Sequence, residues 1–147
     1  ETGRVRHHRT DLFFEDLPAA FDGYRVLHLS DLHFLARDRK KKRRLAILNA
    51  DPVDLCVLTG DLIETDASIA ACVDALGRLR AADGTFCVLG NHDYFRYSFW
   101  DTLQKKEFSD KPNRVEVLVR GLERNGVRTL RNESVEIRRK EGSIRLA

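Results

Sequence analysis

The sequence contains no long apolar run and few cysteines, and both shortages limit what the chain can be. No stretch approaches the about 18 uninterrupted apolar residues that a membrane-spanning helix requires, so nothing in the given sequence reads as a transmembrane helix. There are only three cysteines, Cys56, Cys72 and Cys87, without a Cys-x-x-Cys pair. Each lies in an apolar run, which favours buried free thiols over a disulfide or a metal site and fits a reducing compartment.

An excess of one charge is also lacking. The formal net charge of +3 is too small to indicate nucleic-acid binding by itself. The 147 residues are 42% hydrophobic and 33% charged, which predicts a single globular domain. The first residue is Glu1 rather than methionine, which indicates a removed leader or a fragment. The expected location is therefore the cytoplasm or the membrane periphery, with no decision between them.

Three short apolar runs, at residues 24–30, 55–59 and 85–89, are typical of buried strands. Helical patterns cover residues 40–49 and 66–80 between them. The second pattern places five apolar residues on one face: Ile69, Cys72, Val73, Leu76 and Leu79. The alternation of strand and helix predicts an α/β fold with parallel β-α-β units and a sheet covered on both faces.

The two ends of the chain carry further patterns. Residues 4–14 favour a first strand, and Asp22-Gly23 a turn after it. A third helix is predicted over residues 112–124, capped by Asp110 and ended by Gly126. Its apolar stripe consists of Val115, Leu118, Val119 and Leu122. A short strand at 127–130 and a hairpin formed by 135–138 and 143–146 complete the prediction.

Polar residues follow each of the three buried strands. The first strand is followed by Asp31-Leu32-His33, the second by Gly60-Asp61 and the third by Gly90-Asn91-His92-Asp93. Since ligands in open α/β sheets bind at the carboxyl ends of parallel strands, these three segments are expected to meet in one crevice. The alternative is three polar loop starts whose side chains only cap the backbone.

The residue types suit a metal. Asp31 and His33 are two positions apart, so an extended backbone directs both to one side, and carboxylate with imidazole suits Mn, Fe or Zn. Asp61 has two carboxylate oxygens and can bridge two cations, and Asn91 offers an amide oxygen to the second. His92 is available as a proton donor or a charge stabiliser. Two cations about 3.5–4 Å apart activate a shared water and bind a phosphoryl group.

These three segments resemble the motifs of the calcineurin-like metallophosphoesterases. The matching stretches are residues 28–33, 58–61 and 89–93, and the resemblance is good over about residues 20–95. It is nearest to the bacterial branch of YkuE- and YaeI-type phosphodiesterases. The resemblance implies a layered β-sandwich flanked by helices with a dinuclear site. By this analogy Asp31 and His33 hold the first metal, Asp61 bridges, Asn91 holds the second metal, and His92 lies near the leaving group.

The sequence departs from the family pattern in two places. The family's remaining ligands are histidines of the second half, usually in a Gly-His-x-His element, but no histidine follows His92. A truncated sequence, a partner that supplies the ligands and a decayed relative are the explanations; truncation is favoured, so residues 1–147 are interpreted as the N-terminal half to two-thirds of one domain. Some branches also place an aspartate where this chain has Glu64, which either orients the catalytic histidine or is ordinary surface.

Two segments have a functional and a plain interpretation. The basic segment, defined as residues 37–44, contains Arg37, Arg39, Lys40, Lys41, Lys42, Arg43 and Arg44. It either rims a cleft for anionic substrates or lipids or is a solvated helix start, and the solvated start is favoured. The aromatic segment after the third motif contains Tyr94, Phe95, Tyr97, Phe99 and Trp100. It either lines the cleft or packs against the missing half of the domain, and packing is favoured. His28 is expected in the core, and His7 and His8 on the surface.

The sequence thus predicts a metal-dependent hydrolase of phosphomonoesters, phosphodiesters or pyrophosphates that uses two Mn, Fe or Zn ions. Its expected partner is a phosphorylated small molecule or lipid head group, with peripheral membrane contact and without specific nucleic acid. The chain alone is expected to bind metal weakly and turn over slowly. The alternative is a non-catalytic module that binds anionic lipid or nucleic acid through the basic segment.

Overall fold

The computed structural model describes residues 8–95 and 112–147, and a parallel sheet lies at its centre. Four strands lie side by side in chain order: β1 (Val26–Leu29), β2 (Leu55–Thr59), β3 (Thr85–Val88) and β4 (Val127–Thr129). Each strand pairs in parallel with the next; Val26 lies opposite Leu55, for example. The strands predicted at 24–30, 55–59, 85–89 and 127–130 are confirmed. Their carboxyl ends therefore share one edge of the sheet.

Helices cover one face of the sheet. The helices of the described residues are α1 (Arg39–Leu48), α2 (Ile69–Leu76), the single-turn α3 (Asn91–Tyr94) and α4 (Val115–Arg124). The larger core lies between the sheet and α1, α2 and α4, and its fully buried members include Cys56, Leu58, Cys72, Leu76, Leu118 and Leu122. Gly121 allows α4 to approach α2 closely, because a Cβ there would lie 2.8 Å from Val73 Cγ2.

A hairpin covers the other face. It consists of β5 (Val135–Arg139) and β6 (Gly142–Leu146), which pair in antiparallel fashion. Its apolar side chains complete a second core, whose buried members are Phe21, Leu55, Phe86, Leu130 and Ile137. Arg139 also forms ion pairs with Asp54 (2.6 Å) and Asp83 (3.0 Å), which precede β2 and β3. The predicted hairpin and the coverage of both faces are confirmed.

The predicted first strand is wrong where it can be compared. Residues 8–14 contain no strand, and residues 4–7 lie outside the described part of the chain. The apolar run Leu12, Phe13 and Phe14 is 70%, 92% and 64% exposed. Its β-favouring composition finds no partner strand among the described residues, and a strand needs one.

Two helix boundaries differ from the prediction. The pattern over 66–80 becomes a 3₁₀ turn (Asp66–Ser68) followed by α2, which ends before Gly77. Glycine is a poor helix former, and a Cβ at Gly77 would lie 2.6 Å from Asn125 Cβ. The helix α4 begins at Val115, three residues later than predicted. The predicted cap Asp110 and the part of the aromatic segment after Phe95 lie outside the described residues.

The expectation for His28 is also wrong, because its side chain is exposed. β1 is an edge strand, and the second core covers β2 and β3 rather than His28. His8 is exposed as expected, and His7 lies outside the described residues.

The predicted α/β class is confirmed, with a sheet and a hairpin packed face to face and helices on the outer side. The three cysteines are buried free thiols, as predicted. Burial raises the pKa of Cys56 and of Cys87 to about 12, so these thiols stay protonated at neutral pH. No helix among the described residues combines the length and apolarity needed to cross a membrane.

Candidate metal centre

The segments after β1, β2 and β3 meet at the carboxyl edge of the sheet. The main-chain N–H of Asp31 donates to the carbonyl of Gly60 (3.2 Å), and that of His33 donates to the carbonyl of Asp61 (2.8 Å). Asp61 Oδ1 in turn accepts a hydrogen bond of 3.0 Å from the main-chain N–H of His92. The polar residues that the sequence places after three separate strands therefore lie in one cluster.

Two glycines allow the second and third segments to touch. A Cβ at Gly60 would lie 2.5 Å from Gly90 N, and a Cβ at Gly90 would lie 2.6 Å from Asp61 N. Gly60 also has φ +79°, in the left-handed region that side chains rarely adopt. Any side chain at either position would push the Asp61 and His92 segments apart.

Three site residues have a left-handed backbone themselves. The φ angles are 53° at Asp31, 43° at His33 and 52° at Asp61, and among the described residues Asn132 is the one other non-glycine with positive φ. This conformation costs about 1–3 kcal/mol per non-glycine residue and concentrates at functional sites. Strain at three converging polar residues points to a site rather than to ordinary loop starts.

The same three residues form a set of metal donors. Asp31, His33 and Asp61 each place one ligand atom within 4.8 Å of the others. Asp31 is exposed and the other two are half-buried, so the set is open to solvent on one side. Two carboxylates and an imidazole suit a divalent first-row ion, so the donor chemistry fits a bound cation.

A second set, which shares His33, contains Glu64 and His92, again within 4.8 Å. Glu64 Oε1 lies 3.0 Å from His33 Nδ1, and Glu64 Oε2 lies 3.7 Å from His92 Nδ1. The side chain of Glu64 is 27% exposed, so it is not ordinary surface. The backbone fixes Glu64 in this position, because its N–H donates a hydrogen bond to the carbonyl of Phe34 (3.2 Å).

The contact between His33 and Glu64 lacks good hydrogen-bond geometry, although the two atoms are 3.0 Å apart. His33 Nδ1 is buried, and no described residue offers it a well-aligned partner. A buried imidazole nitrogen facing a carboxylate is the usual arrangement behind a metal-bound histidine.

Asp93, which has no predicted role, connects the second and third strand-end segments beneath the site. Its side chain is fully buried and accepts three main-chain hydrogen bonds, from Leu62 (2.8 Å), Ile63 (3.1 Å) and Gly90 (2.9 Å). Burial raises the pKa of the carboxyl group, while the three N–H donors oppose that shift. The sequence signal was its place three residues after Gly90, at a helix start, where an acidic side chain reaches back to the backbone.

The third segment carries Asn91 and His92 into α3. The ring of His92 meets that of His33 edge-on, with 4.7 Å between centroids. Asn113 Nδ2 donates to the carbonyl of His92 (2.8 Å), which ties α3 to the chain before α4. Asn91 is exposed at the first position of α3, and its role as a ligand stays a prediction.

A family model described as calcineurin-like phosphoesterase matches residues 24–136, which is more than half of the chain and includes all three strand-end segments. The chain belongs to the calcineurin-like phosphoesterase family. The predicted family is thus confirmed.

Two bacterial relatives and one from fish show the same relationship. An "uncharacterized metallophosphoesterase YkoQ" of Bacillus subtilis (strain 168) is 34% identical over 124 residues, which cover 82% of this chain and 41% of the relative. YkuE of the same organism, also described as an uncharacterized metallophosphoesterase, is 33% identical over 55% of this chain and 30% of its own length. A "transmembrane protein with metallophosphoesterase domain" of Danio rerio is 31% identical over 55% of this chain and 19% of its own. This chain thus spans less than half the length of these relatives.

Proposed function

We propose that this chain forms the part of a phosphoesterase that binds two divalent cations and the attacking water at the carboxyl edge of the sheet. The observation that carries the proposal is the convergence of Asp31, His33 and Asp61, whose ligand atoms lie within 4.8 Å of one another. Family membership adds the chemistry, because phosphate esters are the substrates that such a site serves.

Each ligand has a role in this proposal. Asp31 and His33 would hold the first cation, Asp61 would serve both cations and Asn91 would hold the second, with Mn, Fe or Zn as the ions. When bound, the two cations lower the pKa of a shared water and neutralise charge on the phosphoryl oxygens. Asp61 suits the bridging role because the main-chain N–H of His92 already fixes the direction of its carboxylate at 3.0 Å.

His92 supplies the proton for the leaving oxygen. Its backbone is held on both sides, by the bond from its N–H to Asp61 and by the bond from Asn113 Nδ2 to its carbonyl. Glu64 Oε2 lies 3.7 Å from His92 Nδ1, so a carboxylate faces the ring of the proposed acid. A histidine acid of this kind contributes about 10²–10⁴-fold to a rate.

The proposed substrate is a phosphomonoester, phosphodiester or pyrophosphate on a small molecule or a lipid head group, with peripheral membrane contact. Exposed Arg37, Arg39 and Lys40 support an anionic substrate, since they lie at the start of α1, where the neighbouring Lys41 contacts the His33 carbonyl. Their charge raises the local concentration of anions near the site. No specific nucleic acid is proposed.

The alternative function, a non-catalytic module that binds anions through the basic segment, finds less support. Lys41 is buried against the loop that carries His33, and Lys42 is paired with Asp74, so the segment is not one free cationic face. Such a module predicts binding that survives chelation and falls steeply with salt. The phosphoesterase predicts loss of function on chelation instead.

The test combines Mn²⁺ binding by isothermal titration with hydrolysis of bis(p-nitrophenyl) phosphate. We expect Mn²⁺ binding, weak in the chain alone because no histidine follows His92, and slow hydrolysis that stops with a chelator and returns with Mn²⁺. Asp61→Asn removes both. The matched control is Asp51→Asn, since Asp51 is exposed and precedes the amino end of β2, whereas the site lies at the carboxyl ends of the strands.

Two results would count against the proposal. One is wild-type protein that binds no Mn²⁺ up to millimolar concentration. The other is hydrolysis that persists in the presence of the chelator or in Asp61→Asn.

A further inference from the structure

Lys41 is the buried member of the basic segment. It is 9% exposed, whereas Arg37, Arg39, Lys40 and Arg43 are exposed. Its ammonium donates to the carbonyl of His33 at 2.7 Å and pairs with Asp38 Oδ2 at 2.7 Å. Because an ammonium loses its hydration on burial, such a group persists only where fixed acceptors replace the water.

One of these acceptors belongs to the loop that carries a proposed metal ligand. We propose that Lys41 is a positioning residue for the metal site, which holds the backbone at His33 so that the imidazole faces Asp31 and Asp61. This inference rests on the proposed function, because it assigns Lys41 a task in cation binding.

The peptide group between His33 and Phe34 is held at both of its polar atoms. Its N–H, on Phe34, donates to the carbonyl of Leu62 at 2.8 Å, and its C=O accepts from Lys41 Nζ. The preceding peptide is held as well, since the N–H of His33 bonds the carbonyl of Asp61 at 2.8 Å. These bonds hold His33 at φ 43°, a conformation that an unrestrained histidine leaves readily.

Lys41 connects this loop to α1. Asp38 is the N-cap of α1 and accepts from the main-chain N–H of Lys41 at 3.1 Å, so one carboxylate holds both the helix start and the lysine side chain. The Lys41 ammonium also lies 5.8 Å from the centre of the Phe34 ring, which is fully buried. The first turn of α1 and the His33 loop are therefore joined through Lys41 and through Asp38, which also accepts a hydrogen bond from the main chain of Leu35.

The adjacent lysine provides a matched comparison. Lys42 is on the same helix and also pairs with a carboxylate, Asp74 on α2, at 2.8 Å. Asp74 also pairs with Arg78, and neither residue belongs to the strand-end segments. Lys42 thus forms a lysine–aspartate ion pair, as Lys41 does, but does not contact the loop that carries His33.

The experiment compares the Lys41→Met and Lys42→Met variants with the wild-type chain. Methionine keeps most of the side-chain stem and removes the ammonium. The measurements are the Mn²⁺ dissociation constant, hydrogen exchange of peptides covering residues 31–36, and metal-free thermal unfolding as a check on folding. We expect Lys41→Met to weaken Mn²⁺ binding about tenfold and to speed exchange in these peptides, and Lys42→Met to do neither.

The outcomes separate the two claims. Wild-type binding together with a Lys41→Met dissociation constant within threefold of wild type overturns the positioning role and leaves the proposed function intact. Absence of Mn²⁺ binding in wild type refutes the proposed function and, with it, this inference. If Lys41→Met does not fold, Asp38→Asn decides, because asparagine still caps the helix but no longer neutralises the lysine. A weakening of threefold or more by Asp38→Asn supports the role, and a smaller one overturns it.

Discussion

Glu64 Oε1 lies 3.0 Å from His33 Nδ1, behind the imidazole of a proposed metal ligand. A hydrogen bond to this carboxylate would place the proton on Nδ1 and leave Nε2 available to a cation. The same carboxylate group reaches towards His92, so a single side chain orients the ligand and the proposed acid.

Glu64→Gln is therefore expected to weaken Mn²⁺ binding about 10–100-fold, as loss of such a partner typically does. Glutamine keeps the length of the side chain and removes its charge. The measurement is the Mn²⁺ dissociation constant by titration calorimetry. The control is Glu116→Gln, which removes the charge of an exposed glutamate in α4 that pairs with Arg131. Equal affinity in Glu64→Gln and wild type contradicts the orienting role.

Gly90→Ala should disrupt the site through steric overlap, without removing any ligand. The new Cβ would lie 2.6 Å from Asp61 N, so the second and third segments must separate. We expect a loss of about 1–3 kcal/mol in the free energy of unfolding, as for overpacked interiors, together with weaker Mn²⁺ binding.

Gly121→Ala is the comparison for Gly90→Ala. Its Cβ would lie 2.8 Å from Val73 Cγ2, between α2 and α4. Stability should fall in both variants, but Mn²⁺ affinity only in Gly90→Ala. If affinity falls in both, the effect is global and the close approach of Gly90 to Asp61 has no special part in it.

The strands of the sheet were predictable because their signal is local. The run at 55–59 is apolar, bounded by Asp54 and Gly60, and becomes β2 without change. The run at Leu12, Phe13 and Phe14 has a similar composition but is exposed. The difference lies in pairing with a neighbouring strand, which composition does not specify.

The site was predictable for a similar reason, and only in part. Parallel strands bring their carboxyl ends together, so the meeting of Asp31, His33 and Asp61 follows from the order of the elements. Lys41 was not predictable, since its helix start contains seven basic residues and only the packing of α1 on the His33 loop selects one for burial. The role of Glu64 likewise depends on the β1 and β2 segments running side by side.

Asp93→Asn should destabilise the protein although it keeps the size of the side chain. The carboxylate accepts three N–H bonds, and the amide NH₂ of asparagine faces one of these donors instead of accepting from it. An unsatisfied buried group of this kind costs about 1–3 kcal/mol. Urea unfolding measures the loss, with Asp51→Asn as the exposed control. An unchanged free energy of unfolding would show that these three hydrogen bonds of Asp93 do not stabilise the fold.

The ion pairs of the hairpin predict a pH dependence. Burial alone raises the pKa of Asp54, but the N–H of Arg25 and the guanidinium of Arg139 more than offset this, and the pKa lies below its ordinary 3.8. The stabilising contribution is therefore complete above pH 3.8 and is lost as pH falls through the lower folded-state pKa. The stability difference between wild type and Asp54→Asn should stay constant from pH 7 to 5 and shrink towards pH 3. A difference that grows on acidification contradicts the sign.

His92→Asn distinguishes an acid from a ligand by its dependence on the leaving group. p-Nitrophenolate leaves without a proton, whereas an alkoxide does not, so loss of the acid should slow an alkyl phosphate ester about 100-fold or more and a p-nitrophenyl ester far less. Mn²⁺ affinity should stay near wild type, because the proposed ligands are Asp31, His33, Asp61 and Asn91. The control is His8→Asn, at an exposed histidine. The measurement is kcat for both esters at saturating Mn²⁺. Equal slowing of the two esters with a loss of Mn²⁺ affinity would instead make His92 a ligand, which the shared donor set with His33 and Glu64 also allows.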